Sequence, residues 1–274
     1  MMEYRTLLDG MGLPENTDLC ANLFGLPREA IHDNVILSPG WEPAALAALG
    51  KAEPVSVAPL FGYKLWSIRN GNTKITWIRT GFGAPVVMDA ALILGASGCK
   101  RILFVSSVGM LQPGIPIGDL VLPEFAMNGD GAIRYIASAD LHEDILREKA
   151  YPDAALLERL RESTRAVCAE RNTGWHMGKV FYTDTIFAQS PHLPAIQQMG
   201  CSALDMESAA VFRAAALTGI PAAALLSVSD NMSDGKSLMF SGRGYSDADA
   251  KYRRFVRSTV MPEIILRVFG IFER

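Results

Sequence analysis

The chain has 274 residues, 49% of them hydrophobic and 20% charged, a size that one large domain can organise around a single core. Its net charge of −3, with no basic cluster, argues against nucleic acid or an anionic membrane as partner and suits a small neutral ligand. Glu3, Arg5 and Asp9 interrupt the start, no apolar run reaches the roughly 20 residues of a bilayer span, and Cys20, Cys99, Cys168 and Cys201 are scattered, so a soluble, unprocessed, cytoplasmic protein is expected.

Residues 1–33, broken by Gly10, Gly12, Pro14 and Pro27, read as an N-terminal extension of short turns, and residues 34–274 as the main domain. Val35-Ile36-Leu37 is a short strand closed by Ser38-Pro39-Gly40, and residues 43–49 read as a helix opened by Pro43. A second strand, residues 74–79, runs into Gly81-Phe82-Gly83 and an apolar helix over 85–96. A third covers 101–105, with Ser106 to Gly109 as its turn. Strands at 119–122 and 179–182 flank a charged helix over 153–171; an Ala-rich helix follows at 208–217, and 222–228 is an apolar strand of the kind buried on both faces. The alternation predicts an α/β fold, a three-layer α/β/α sandwich around a central mixed, largely parallel sheet. Ligands of such sheets gather where the loops leave the carboxyl ends of the strands.

Two acidic segments fall at such places. In Leu204-Asp205-Met206-Glu207-Ser208 two carboxylates stand at a helix start. Helix capping, which stabilises by about 0.3–1 kcal/mol, accounts for them; so does a carboxylate accepting two hydrogen bonds from adjacent sugar hydroxyls, with Met206 against the apolar face of the sugar. Asp230 ends an apolar strand, where strand propensity does not put it. It is either a cap for the next turn or a carboxyl whose burial lets it hand a proton to a leaving base. Gly81-Phe82-Gly83 lacks the third glycine and the downstream acid of a dinucleotide site, and no nucleophile elbow, Walker sequence or metal-spaced histidine pair is present, so neither cofactor nor metal is expected.

Taken together, residues 34 to the C-terminus resemble the superfamily of purine nucleoside phosphorylase, uridine phosphorylase and methylthioadenosine nucleosidase. The segments that carry the resemblance are 204–210, the run from Gly109-Met-Leu-Gln-Pro-Gly to Gly118-Asp119-Leu-Val-Leu-Pro123, Thr80-Gly81-Phe-Gly-Ala-Pro85, and 178–187. The resemblance implies that Glu207 binds the ribose 2′- and 3′-hydroxyls, Met206 packs on the sugar, and Asp230 is the acid toward a purine, assisted by Arg243. Strict spacing gives Ile186 the base-stacking position, with Phe187 one residue beyond. Gly40, Ser107 and Gly109 would border the phosphate or water site. A homo-oligomer is implied too, and His32 is the extension residue able to reach a neighbour's pocket, although histidines satisfied within their own chain are more common.

Departures from the family concentrate where phosphate binds. Ala44 stands where the turn arginine would be, Phe104 where the strand arginine would be, and no counterpart of the arginine lent by a neighbouring subunit lies near Leu60. A buried dianion needs charge-assisted partners, each contributing about 1.5–3 kcal/mol. Three functions follow. Hydrolysis, set first, has Ser107 orient a water that Glu42 deprotonates. Phosphorolysis needs orthophosphate held by Arg243, Lys236 or a neighbour's side chain. The third is a nucleoside-binding or storage protein without turnover.

Overall fold

The apolar runs become strands because their alternate side chains enter two different cores. In the first strand Val35 and Leu37 join one cluster and Ile36 the other; Ala222, Ala224, Leu226 and Val228 join the first, Ala223 and Leu225 the second. A computed structural model of the chain describes residues 3–14, 16–58, 60–129, 131–138, 140–237 and 244–270. The strands are β1 (Asn34–Ser38), β2 (Lys51–Val57), β3 (Lys64–Asn70), β4 (Thr73–Arg79), β5 (Arg101–Met110), β6 (Leu120–Asn128), β7 (Lys149–Ala150), β8 (Trp175–Tyr182), β9 (Ala203–Asp205) and β10 (Ala222–Asn231). The helices are α1 (Tyr4–Gly10), α2 (Leu19–Phe24), α3 (Ala84–Leu94), α4 (Arg134–Ala137), α5 (Ala154–Arg171), α6 (Leu193–Gln198), α7 (Ser208–Thr218), α8 (Asp247–Phe255) and α9 (Met261–Phe269).

Helices cover both faces, α2, α3 and α7 over one cluster and α5 and α9 over the other, so the layered α/β fold is as expected. The sheet is more mixed and more curled than the sequence implies. β1–β4, β1–β5, β5–β10, β6–β8 and β8–β9 are parallel; β2–β3, β3–β4, β5–β9, β6–β7 and β6–β10 are antiparallel. Because β10 pairs with both β5 and β6 while β9 joins β8 to β5, five strands close into a ring, from which β1, β4, β3 and β2 continue as an open sheet.

Three expectations are corrected. Residues 43–49 form a 3₁₀ segment with a kink at Leu46 (φ −121°, ψ 55°), not a regular helix. Ser106 to Gly109 are not a turn, because β10 pairs along β5 as far as Met110 and keeps the backbone extended. The N-terminal segment is more than turns: α1 and α2 form between its breakers, and α2 buries Leu19, Cys20 and Phe24. His32 is satisfied at home, its Nε2 2.9 Å from Ser67 Oγ.

At the C-terminal end α8 and α9 are joined by a π-turn over Val256–Val260. Pro262, in the first turn of α9, would clash with a carbonyl one turn back in a regular helix, and the wider turn relieves it. The start of α8 is held by a capping box between Ser246 and Asp249. Its flank sits directly on Gly118, whose φ of +101° leaves no room for a side chain: a Cβ there would lie 2.8 Å from the Arg253 Cα. Beside it Asp119, buried, accepts a hydrogen bond from Tyr252 Oη at 2.8 Å and lies 2.8 Å from His176 Nε2. The Gly118-Asp119 pair is thus the seat of α8. Gly118→Ala is expected to destabilise the chain by about 1–3 kcal/mol, seen as a lower urea midpoint. Gly200→Ala, with φ +83° and nothing within 4 Å, isolates the backbone strain and should cost less.

Candidate active site

A cleft of about 140 Å³ opens where β5, β9 and β10 end and the loop after β8 begins, lined by Ser107, Gly109, Met206, Glu207 and Asp230 among others. The closing of the ring brings these ends together, since β5 supplies Ser107 and Gly109, the end of β9 supplies Met206 and Glu207, and β10 supplies Asp230.

The two carboxylates after β9 divide the work that capping and ligand binding would each claim. Asp205 caps α7, accepting from the Ser208 amide at 3.0 Å and from the Ser208 hydroxyl. Glu207 makes no capping bond to α7; its Oε1 accepts from the Gly83 amide at 2.8 Å, across the cleft mouth. With 3% exposure, Glu207 is held above the usual carboxylate range by burial first and by the nearby Asp205 charge second. Gly83 can offer its amide because Gly81 and Gly83 both have positive φ (+89° and +99°), folding the turn back toward α7.

Asp230 is aimed by a bulge. The register of β10 against β5 shifts between Val228 and Asp230, so Ser229 is the extra residue and Asp230 comes to lie opposite Gly109. A Cβ at Gly109 would stand 3.2 Å from Asp230 Oδ2, so the glycine makes the space that the carboxyl occupies. Ser229 Oγ donates to Asp230 Oδ1 at 2.5 Å. Burial pushes the Asp230 carboxyl up, opposed by that hydroxyl and by the charge of Arg253.

Ile186 lines the cleft, whereas Phe187 is 80% exposed and does not. The aromatic ring at the cleft is instead Phe82, which no motif or spacing in the chain singles out; it lies over Gly40, where a Cβ would come within 2.4 Å of its ring. Gly40 therefore flanks the cleft through Phe82. Arg243 lies outside the described residues.

Glu42 is the expectation that the geometry does not support as a base. It is absent from the cleft lining, and its Oε1 accepts from Lys64 Nζ and Arg79 Nη1, both at 3.2 Å, so its charge is spent on two cations. Lys236 is engaged as well, its Nζ 2.8 Å from Asp249. Phe104 is fully buried in the core, which leaves no guanidinium on that strand position. A cation does reach the cleft from elsewhere: Arg253 of α8 donates from Nη2 to Ser107 Oγ at 3.1 Å. The signal for it was available in the Ser246 to Asp249 cap and the four-residue spacing of Arg253 and Arg257, which together mark a helix with two arginines on one face. Among the described residues no group of three or more His, Cys, Asp or Glu side chains is arranged to hold a metal ion, and no helix is long and apolar enough to cross a membrane.

Residues 35–258 match the phosphorylase superfamily. A DeoD-type purine nucleoside phosphorylase of Streptococcus pyogenes is 26% identical over 163 residues, 59% of this chain and 65% of that protein, so the match spans just under two thirds of that relative's length. One from Hahella chejuensis is 26% identical over 210 residues, covering 75% of this chain and 84% of that protein. Among solved structures, purine nucleoside phosphorylase from Toxoplasma gondii in complex with immucillin-H superposes with a TM-score of 0.69 at 20% identity, over 89% of this chain and 92% of that one. Uridine phosphorylase from Vibrio fischeri gives 0.69 at 21% identity, over 87% and 93%.

Proposed function

This chain belongs to the phosphorylase superfamily, and from that premise we propose that it cleaves the N-glycosidic bond of a purine nucleoside. The observation that carries the reading is the pair of buried carboxylates, Glu207 and Asp230, lining one cleft from two different strand ends. Glu207 accepts the ribose 2′- and 3′-hydroxyls and Met206 packs on the sugar. Asp230, its carboxyl pushed up from the ordinary aspartate value by burial, gives a proton to the purine as positive charge develops at C1′. Ile186 lies along the base. A pyrimidine offers no ring nitrogen in the place where Asp230 would protonate a purine, and the relatives named purine nucleoside phosphorylase agree with the purine reading.

The pairing of the Glu42 carboxylate with Lys64 and Arg79 weighs against hydrolysis by a water that it activates, and phosphorolysis is the form of the reaction we propose. The test is release of free base from a panel of purine and pyrimidine nucleosides, each with and without orthophosphate. Phosphate-dependent release of a purine is the expected result; phosphate-independent release restores hydrolysis, and nucleoside binding without release from any member restores the binding protein. The same reading carries a homo-oligomer, in keeping with exposed Val57, Leu60 and Phe61 at the open edge of the sheet, and sedimentation gives its size.

A further inference from the structure

Arg253 is a residue whose surroundings ask for an acceptor. Its Nη2 donates to Ser107 Oγ, yet its Nε is buried and has no hydrogen-bond partner, and no carboxylate among the described residues comes within salt-bridge range of it. Arg257, four residues on and so on the same side of the helix, repeats the pattern: its guanidinium lies 5.5 Å from the centre of the Trp41 ring, next to Gly40, and its Nε is also buried without a partner. Burial, followed by the charges of Arg253 and Arg254, holds the Arg257 guanidinium below its usual range. A third buried Nε without a partner belongs to Arg79, whose Nη1 is bonded to Glu42, the residue after Trp41.

Leaving a buried donor of a charged group unpaired is unfavourable, and like charges side by side add to the cost. One class of ligand answers the features of Arg253 and Arg257: an oxyanion, which accepts from several N–H donors and cancels the repulsion between the guanidinium groups. Ser107 ties the cations to the cleft, because it both lines the cleft and accepts from Arg253.

We propose that Arg253, carried on α8 instead of on a strand or turn, is the cation that holds the attacking oxyanion at Ser107, with Arg257 as a second guanidinium beside it. The inference rests on the proposed glycosidic cleavage and names its co-substrate, orthophosphate. In the step itself an oxygen of hydrogen phosphate forms a bond to C1′ as the C1′–N9 bond breaks. The bonding pair goes into the purine ring, which takes the Asp230 proton, and the products are free purine and the pentose 1-phosphate. The Gly118-Asp119 seat of α8 then has a role in positioning: it sets how far Arg253 reaches, through contact with its backbone and through Tyr252.

The test compares the full-length protein with Arg253→Gln and Arg253→Lys, using inorganic phosphate alone in calorimetry and phosphate with a purine nucleoside in turnover. Expected for Arg253→Gln is a KM for phosphate raised about 10- to 100-fold, the range one hydrogen bond to a charged group supplies, with the KM for nucleoside changed less than threefold and the melting curve intact. Arg253→Lys should recover part of the phosphate affinity, since the charge returns without the planar fork. Equal phosphate affinity in the wild type and Arg253→Gln overturns the assignment, whether or not base is released. If no nucleoside is cleaved by the wild type, glycosidic cleavage fails, while calorimetry still decides whether Arg253 binds phosphate. An Arg253→Gln variant that no longer melts cooperatively is replaced by Tyr252→Phe, which removes the hydroxyl that donates to Asp119 and accepts from the Gly174 amide and should raise the phosphate KM while leaving that for nucleoside in place; no change there also overturns the proposal.

Discussion

Replacing Glu207 by Ala should abolish detectable base release while leaving a folded protein. Two hydrogen bonds from sugar hydroxyls to a carboxylate are worth about 1.5–3 kcal/mol each, so kcat/KM should fall roughly 10²- to 10⁴-fold, with more of the loss in kcat if the bonds strengthen as charge grows at C1′. Steady-state release of purine, measured beside the wild type at one saturating phosphate concentration, checks it. Retention of more than a tenth of the activity would show that Glu207 is a structural partner of Gly83 only.

The same residue makes a second, opposite expectation for stability. The folded protein raises the carboxyl of Glu207 above its unfolded value, so the folded state binds more protons than the unfolded state between those two values. Stability from this group is therefore greatest below the unfolded value and is lost as pH rises through the folded one. Glu207→Gln removes that loss: the variant should melt higher than wild type on the alkaline side, by about 2–4 °C for each kcal/mol recovered, and the advantage should shrink toward acid. An enzyme that keeps a costly buried carboxylate, and gains stability without it, is retaining that group for its chemistry.

Asp230→Asn should lower kcat for purine release about 10²- to 10⁴-fold, the usual share of a general acid. The pH profile separates loss of the acid from loss of shape. Burial pushes the Asp230 carboxyl up from the ordinary aspartate value, with Ser229 and Arg253 pulling the other way. The wild-type kcat/KM should therefore decline as pH rises past the Asp230 value, and that limb should be missing from the variant. A nucleoside with a base that leaves without protonation gives a second readout, because the variant should cleave it nearly as well as the wild type does.

Much of the fold could be read from the chain because the central strands are buried on both sides, which makes them continuous apolar runs: 35–37, 102–105 and 222–228 are all recognisable without their partners. β2 is different. It is an exposed edge carrying Lys51, Glu53 and Pro54, the residues that discourage further pairing, so its text looks like a loop. The ring was not legible at all, since its closure depends on which distant strands meet, and periodicity is silent about that. At the site, Glu207, Asp230 and Met206 could be singled out because an acid at a strand end or helix start is locally anomalous. Glu42 misled for the complementary reason, in that its sequence neighbours say nothing of Lys64 and Arg79, which approach from two other strands. Arg253 escaped notice because charged residues on a helix such as 247–255 usually face water, and only the seat at Gly118 turns this one inward.

The five-stranded ring has a consequence for how the protein is made. Its seal is the pairing of Ile102 with Ala222 and of the residues that follow on each strand. A nascent chain that has reached residue 221 already holds β5, β6, β8 and β9, together with Glu207, yet has neither Asp230 nor Arg253. Loop closure over so long a stretch is slow, and the open flanks of β5 and β6 present unpaired backbone to any other strand in the meantime. Competence therefore waits for β10 and then for α8 behind it, and the interval before β10 pairs is the period in which synthesis is most exposed to aggregation.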